Sequence, residues 1–271
     1  MSKSIFRLAA GAAFISLVAV STAFAQDFQR TYPLGAGGTV SIHNVSGDVK
    51  VIGYDGSMIV VTGVKEGRDR HLVEVDDRSG ASSVDVRVRY AEQCNCDASI
   101  NFEVRVPRGM KYLFDNISSA SGDITVSGVM GNVQAKSASG DVTVADVTGA
   151  VNASTASGDV RVKNIIGSAS AKSASGDIEV EITRLDGAGN MEFASTSGDV
   201  KVKMPADLGA EVNMSVFSGS LRTDFPLEIQ EREQELGRGR GRGRSAQGRV
   251  GDGSRTLRLS SLSGNVILTR S

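Results

Sequence analysis

Between residues 119 and 202 the chain alternates apolar and polar positions in short runs that return at a fixed interval. Ile124 and Val126, Val142 and Val144, Val160 and Val162, Ile178 and Val180, and Val200 and Val202 are all β-branched and apolar. The residues between them are Thr125, Thr143, Arg161, Glu179 and Lys201. A period of two, with one face always apolar and the other accepting either charge, predicts strands with one side buried and one in water. A second run accompanies each, as in Val133-Gln134-Ala135-Lys136 and Val151-Asn152-Ala153-Ser154. Val opposed by Ala, Ser and Thr leaves room for only a thin core.

Ser-Gly-Asp marks the start of each Val pair, at Ser121, Ser139, Ser157, Ser175 and Ser197, at intervals of 18, 18, 18 and 22 residues. It also occurs at Ser46, and looser versions follow at Ser218-Gly219-Ser220 and Ser263-Gly264-Asn265. A period of about 20 residues marks units that bury their faces only against their neighbours. The expected fold class is therefore all-β, a single-stranded β-solenoid or β-helix with about 18–22 residues per rung. The hexapeptide left-handed β-helix does not fit, because six-residue steps from Val142 land on Thr148 and Ser154.

The repeated tripeptide has a physical reason as a corner. Gly reaches positive φ without steric cost, and Ser and Asp side chains bond backbone groups that a bend leaves unpaired. Stacked corners would set Asp123, Asp141, Asp159, Asp177 and Asp199 in a column with a step of about 4.8 Å. Turn capping is the first reading of that column. A calcium ladder is the sharper one, since stacked carboxylates suit a hard cation. No other cofactor and no other metal is expected.

The flanks divide the chain further. Lys3 and Arg7, the apolar run Leu8 to Val20 and Ala23-Phe24-Ala25 predict a cleaved signal peptide over residues 1–25, with no transmembrane segment after cleavage. Residues 26–118 are expected to form a β-rich cap and early rungs, in which Cys94-Asn95-Cys96 makes a hairpin-like connection between two alternating runs. Regular repeats occupy 119–226. Residues 227–255 break the pattern: Glu228, Glu231, Glu233 and Glu235 precede Arg238, Arg240, Arg242, Arg244 and Arg249 in an alternating Gly-Arg tract. Such a tract reads as a flexible loop and a candidate anion-binding segment, with a short helix in Leu227–Leu236. Residues 256–271 are expected to close the body.

Composition narrows the function. The formal charge is −1, so nothing points to nucleic acid. Trp is absent and Gly numbers 32, which suits many short strands. Cys94 and Cys96 are the two cysteines; an exported protein normally oxidises such a pair, which reads first as a local disulfide staple and alternatively as a redox-active or intermolecular pair, and two thiolates fall short of a zinc site. The two histidines, His43 and His71, lie outside the regular array. Nucleophile elbow, Walker loop, dinucleotide fingerprint and H-E-x-x-H are all missing, so no catalytic residues are expected.

The stretches "GGTVSIHNVSGDVKVIGYDG", "EVRVPRG" and the tandem "SASGDVTV" rungs resemble the bacterial putative-adhesin family with β-strand repeats, related to adhesin-head-like β-helix domains. The resemblance runs from about Gly37 to Thr269 and implies a solenoid in an envelope or exported protein of unknown function. It supplies no catalytic residues. The expectation is thus an exported, non-enzymatic, adhesin-like binding or structural module, in the periplasm or at the cell surface. Its expected partners are an envelope or surface glycan, an anionic lipid or a protein, with self-association open to it. The rivals are a carbohydrate-active β-helix enzyme and a metal-stabilised filament.

Overall fold

The structure, a computed structural model, describes residues 27–91, 96–187, 189–236 and 239–271, with side chains described outside 230–242. The leader 1–25 and Cys94 lie outside the described residues. The N-terminal part contributes β1 (Phe28–Tyr32), β2 (Thr39–His43), β3 (Val49–Tyr54), β4 (Ile59–Glu66), β5 (Val73–Asp77), β6 (Ser83–Tyr90) and β7 (Ser99–Pro107). The regular array follows as β8 (Lys111–Ser121), β9 (Ile124–Ser127), β10 (Met130–Ser139), β11 (Val142–Thr148), β12 (Val151–Ser157), β13 (Val160–Ile166), β14 (Ala169–Ser175), β15 (Ile178–Arg184), β16 (Met191–Ser197) and β17 (Val200–Met204). The C-terminal part holds β18 (Ala210–Ser218), β19 (Leu221–Thr223), β20 (Glu228–Leu236), β21 (Gly239–Val250), β22 (Arg255–Ser263) and β23 (Val266–Arg270). Among the described residues one 3₁₀ turn, Arg70–Leu72, is the sole helical element.

Each rung is a strand before a Ser-Gly-Asp corner and a strand after it. Rungs stack in parallel and in register, so like meets like: Val142 pairs with Val160, Val160 with Ile178, and Ile178 with Val200. On the other side of the corner Val133 pairs with Val151 and Ala135 with Ala153. The parallel rungs therefore make two faces, one of even-numbered and one of odd-numbered strands, which share a thin core of Val, Ile and Ala; the antiparallel β1, β4, β5, β20 and β21 fall outside this rule. Phe114 and Phe193 are also fully buried within the core. Solenoid architecture and alternation are as the repeat pattern predicts.

Three features differ from the sequence expectation. The order of rungs in space is not their order in the chain: β2 lies between β6 and β8, and β3 between β7 and β9. Likewise β22 lies between β16 and β18, and β23 between β17 and β19. The C-terminal rung is thus one place inside the stack rather than closing it. Secondly, β6 and β7 are not hairpin partners, because β6 joins the face of β2 and β7 that of β3.

Thirdly, the tract expected as a helix and a mobile loop forms strands, with β20 and β21 pairing antiparallel along their length and β21 pairing antiparallel with β18. Both halves of the tract alternate with period two, which suits a ribbon better than a helix. Its register sets Glu231, Glu233 and Glu235 opposite Arg244, Arg242 and Arg240.

Antiparallel strands close the other end. β5 covers β6, β4 covers β7, and β1 covers β4. The Tyr32 hydroxyl donates to Asp77 Oδ2 at 2.8 Å and ties β1 to β5 across this end. Burial, with the Asp77 carboxylate beside it, pushes the Tyr32 phenol up to about 12.

The corner glycines are fixed by stacking as much as by dihedral angle. Gly158 has φ +136°, and a Cβ there would press on the carbonyl of Gly140 in the adjacent rung. Gly187 also has positive φ, 82°, but open space surrounds the Cβ position. Gly158→Ala should therefore cost about 3 kcal/mol or more, and Gly187→Ala only about 1–2 kcal/mol. Urea denaturation of the two variants measures the difference; equal midpoints would refute the stacking constraint.

Candidate functional site

The corner carries three parallel columns of hydrogen bonds. In the first, backbone runs from rung to rung: Gly122 N–H donates to Ser139 O, Gly140 N–H to Ser157 O and Gly158 N–H to Ser175 O, at 2.9–3.0 Å. In the second, Ser119, Ser137, Thr155, Ser173, Ser195 and Ser261 are buried, and each hydroxyl donates to a corner glycine carbonyl of the neighbouring rung. These residues precede the corner glycine by three. They lie outside the Ser-Gly-Asp motif, although Ser or Thr stands at that offset in rung after rung.

The third column is built by the aspartates. Asp123 Oδ1 accepts from Asp141 N–H, Asp141 Oδ1 from Asp159 N–H, Asp159 Oδ1 from Asp177 N–H and Asp177 Oδ1 from Asp199 N–H, at 2.8–2.9 Å. The column extends beyond the five residues singled out by sequence. Asn101 Oδ1 accepts from Asp48 N–H and Asp48 Oδ1 from Asp123 N–H at one end. At the other, Asp199 Oδ1 accepts from Asn265 N–H, and Asn265 Oδ1 from Ser220 N–H. Asn serves at both ends, so the position requires a side-chain oxygen rather than a charge. Arg161 reaches the outer oxygens of both Asp141 and Asp159, at 2.7 and 2.6 Å. Among the described residues no group of three His, Cys, Asp or Glu gathers in a way that could hold a metal ion.

Beside the corner, the outer surface of the even-numbered face is small and apolar. Ala156, Ala174, Thr196 and Leu262 point outward from successive strands and are exposed, Leu262 by 53%, and Phe217 of β18 ends the row half-buried. Here β21 rises alongside and makes a groove of about 870 Å³. Ser215, Ser245 and Ser260 contribute hydroxyls to it, and its two charged residues among those described, Lys172 and Arg244, are both basic.

A family model built on such β-strand repeats matches residues 40–269, almost the whole of the described body. The chain belongs to the Toastrack DUF4097 family. No curated protein matches it. Among solved structures, a putative adhesin from Parabacteroides distasonis ATCC 8503 is 9% identical, covers 90% of this chain and 96% of its own, and has a TM-score of 0.41. A putative adhesin from Bacteroides fragilis NCTC 9343 is 12% identical with the same coverages and a TM-score of 0.39. A putative cell adhesion protein from Clostridium sporogenes ATCC 15579 is 7% identical, covers 90% of this chain and 99% of its own, and has a TM-score of 0.34. At such values the likeness transfers no function.

The Toastrack body scatters the other residues singled out by sequence. Arg238 lies outside the described residues, and register places Arg240, Arg242 and Arg244 opposite glutamates. Arg249 donates to the Asp252 carbonyl. Cys96 is disulfide-bonded. No helix among the described residues is long and apolar enough to cross a membrane.

One trio in the Toastrack body has the residue types of a hydrolytic relay. Ser118 Oγ lies 3.3 Å from His43 Nδ1, and His43 Nε2 lies 3.8 Å from Asp85 Oδ1. Burial, with Arg87 nearby, holds the imidazole below its ordinary pKa. The Asp85 carboxylate already accepts three contacts from Arg87, at 3.0–3.2 Å. The trio sits on the outer surface of paired strands, whose backbone amides are engaged in the sheet. It reads as a cross-strand polar row.

The ladders make two predictions. Ser173→Val should cost about 1–3 kcal/mol by stranding the Gly158 carbonyl, and Ser173→Thr should be tolerated, as Thr155 occupies the same place. Denaturant titration compares them; equal losses would remove the hydroxyl column from the account. The second concerns acid. Asp141 is held below the usual carboxylate range by the Asp159 N–H and Arg161, and Asp199 by the Asn265 N–H. A depressed folded pKa stabilises fully above the unfolded value, about pH 4, and that contribution disappears as pH falls through the folded values. Asp141→Asn with Asp199→Asn should keep the Oδ1 ladder yet flatten the loss of stability below about pH 4. An unchanged acid limb would show that these carboxylates do not set it.

Proposed function

We propose that this Toastrack protein is an exported, non-catalytic binding module of the bacterial envelope, and that its groove takes an acidic surface glycan. The observation that carries the reading is the groove between the outer row of the even-numbered face and β21. Its floor of Ala174, Ala194, Leu262 and Phe217 suits the apolar face of a sugar ring. Its hydroxyls, on Ser215, Ser245 and Ser260, suit sugar hydroxyls, and the basic Lys172 and Arg244 suit a carboxylate or sulfate.

Lys172 is already paired with Glu192 at 2.6 Å, but its side chain is 56% exposed. An exposed pair of that kind is worth about 0–1 kcal/mol, so exchange for a ligand anion costs little. The basic, apolar and small-residue segments of residues 1–25 support export, and the family supports a solenoid scaffold. Displaying a repeating surface to a repeating polymer is a use for which stacked rungs are well suited.

The test is an array of acidic and neutral glycans, with anionic vesicles as a parallel arm, probed with residues 26–271. Retention on acidic glycans is expected, reduced at least about tenfold by Leu262→Glu or Lys172→Glu, equivalent to about 1.4 kcal/mol. Lys201→Glu on the opposite face should leave binding unchanged. Retention on vesicles alone, or no response to the groove substitutions, would overturn the assignment.

A further inference from the structure

The inserted C-terminal rung carries a consequence for how copies of the chain meet. β18 and β19 do not pair with β16 or β17; β22 and β23 carry all the strand pairing between them among the described residues. β22 pairs with β16 from Met191↔Leu257 to Ser197↔Ser263, and with β18 from Ala210↔Arg255 to Ser218↔Ser263. Leu257, Leu259, Val266 and Leu268 of this rung are fully buried. All three corner columns run through it: Ser261 donates to Gly198 O, Gly198 N–H to Ser263 O, and Asn265 links Asp199 to Ser220.

The chain thus leaves a slot two strand spacings wide, about 10 Å, and fills it last. Withdrawal of the rung would open four strand edges at once, two on each side, and unpaired edges seek another strand. The best-fitting occupant is the same rung from a second copy, because every contact it makes is reproduced. The connection allows it. Residues 251–254 are Gly-Asp-Gly-Ser, with Gly251 and Gly253 at φ 62° and 69°, and four residues extended reach about 14 Å.

We infer that the slot between β16/β17 and β18/β19 is an interaction site for a second copy of this chain, which enters it by exchanging its C-terminal rung. This inference is independent of the groove's ligand. Ala194 of β16 and Ser260 of β22 face each other in register on the outer surface, which places a cysteine pair within disulfide reach. Full chains carrying Ala194→Cys or Ser260→Cys singly are mixed at high concentration, warmed to just below the melting midpoint, cooled and oxidised.

The expected product is a dimer whose linking peptides, identified by mass spectrometry, join positions 194 and 260. A single chain with both substitutions should link within itself. A mixture of Ser154→Cys and Lys172→Cys chains, facing positions of β12 and β14 in the uninterrupted array, should give no dimer. Three results overturn the inference. One is no 194–260 dimer while the doubly substituted chain links internally. Another is an equal dimer yield from the 154 and 172 pair, and the third is failure of the doubly substituted chain to link.

Discussion

Everything in this body depends on how closely one corner approaches the next. Parallel strands stack about 4.8 Å apart, and the corner must keep that spacing while the chain reverses between two faces. A glycine is the one residue whose absent Cβ lets the carbonyl of the rung beneath come up against it, as at Gly140, Gly158, Gly176 and Gly198. Once the corners are that close, the amide, the buried hydroxyl and the aspartate oxygen of each rung fall within reach of the next. The thin core then follows, because faces joined by so tight a turn leave no room for large side chains between them.

The three columns divide the work at the corner. Backbone amides set the register, and the hydroxyls satisfy carbonyls that the bend would otherwise leave dry. Each aspartate accepts from the amide at the equivalent position of the next rung while keeping its second oxygen at the surface, where Arg161 and Lys201 approach. A buried polar network is costly when half-made, and the buried hydroxyl column recurs from Ser119 to Ser261, while the surface column of aspartates runs from Asn101 to Ser220. The outward-facing rows take no part in these columns.

The rung itself was legible in the sequence, because period-two alternation and a fixed interval are direct readouts of pleat and coil length. Rung order was not, since every corner uses the same chemistry and nothing local says which rung lies beside which. A faint signal existed all the same. The least regular corner, Ser218-Gly219-Ser220, belongs to the last rung in space, where no further amide needs an aspartate oxygen and Val216 replaces the buried hydroxyl. The Gly-Arg tract was misread because glycine is a poor strand former. Its alternation with Arg, set against Glu at the same period, was the better guide. The groove could not be foreseen, because it needs β21 beside β18.

The placement of the C-terminal rung also bears on how the body would carry a load. In an ordinary stack the chain end is the outermost coil, and a pull there peels bonds away one at a time. Here a pull along β23 would be resisted by β17 and β19 together, with both sets of bonds loaded in shear rather than unzipped. A protein tethered at one end and gripped on its face by something that moves would gain from such a clamp at its tether.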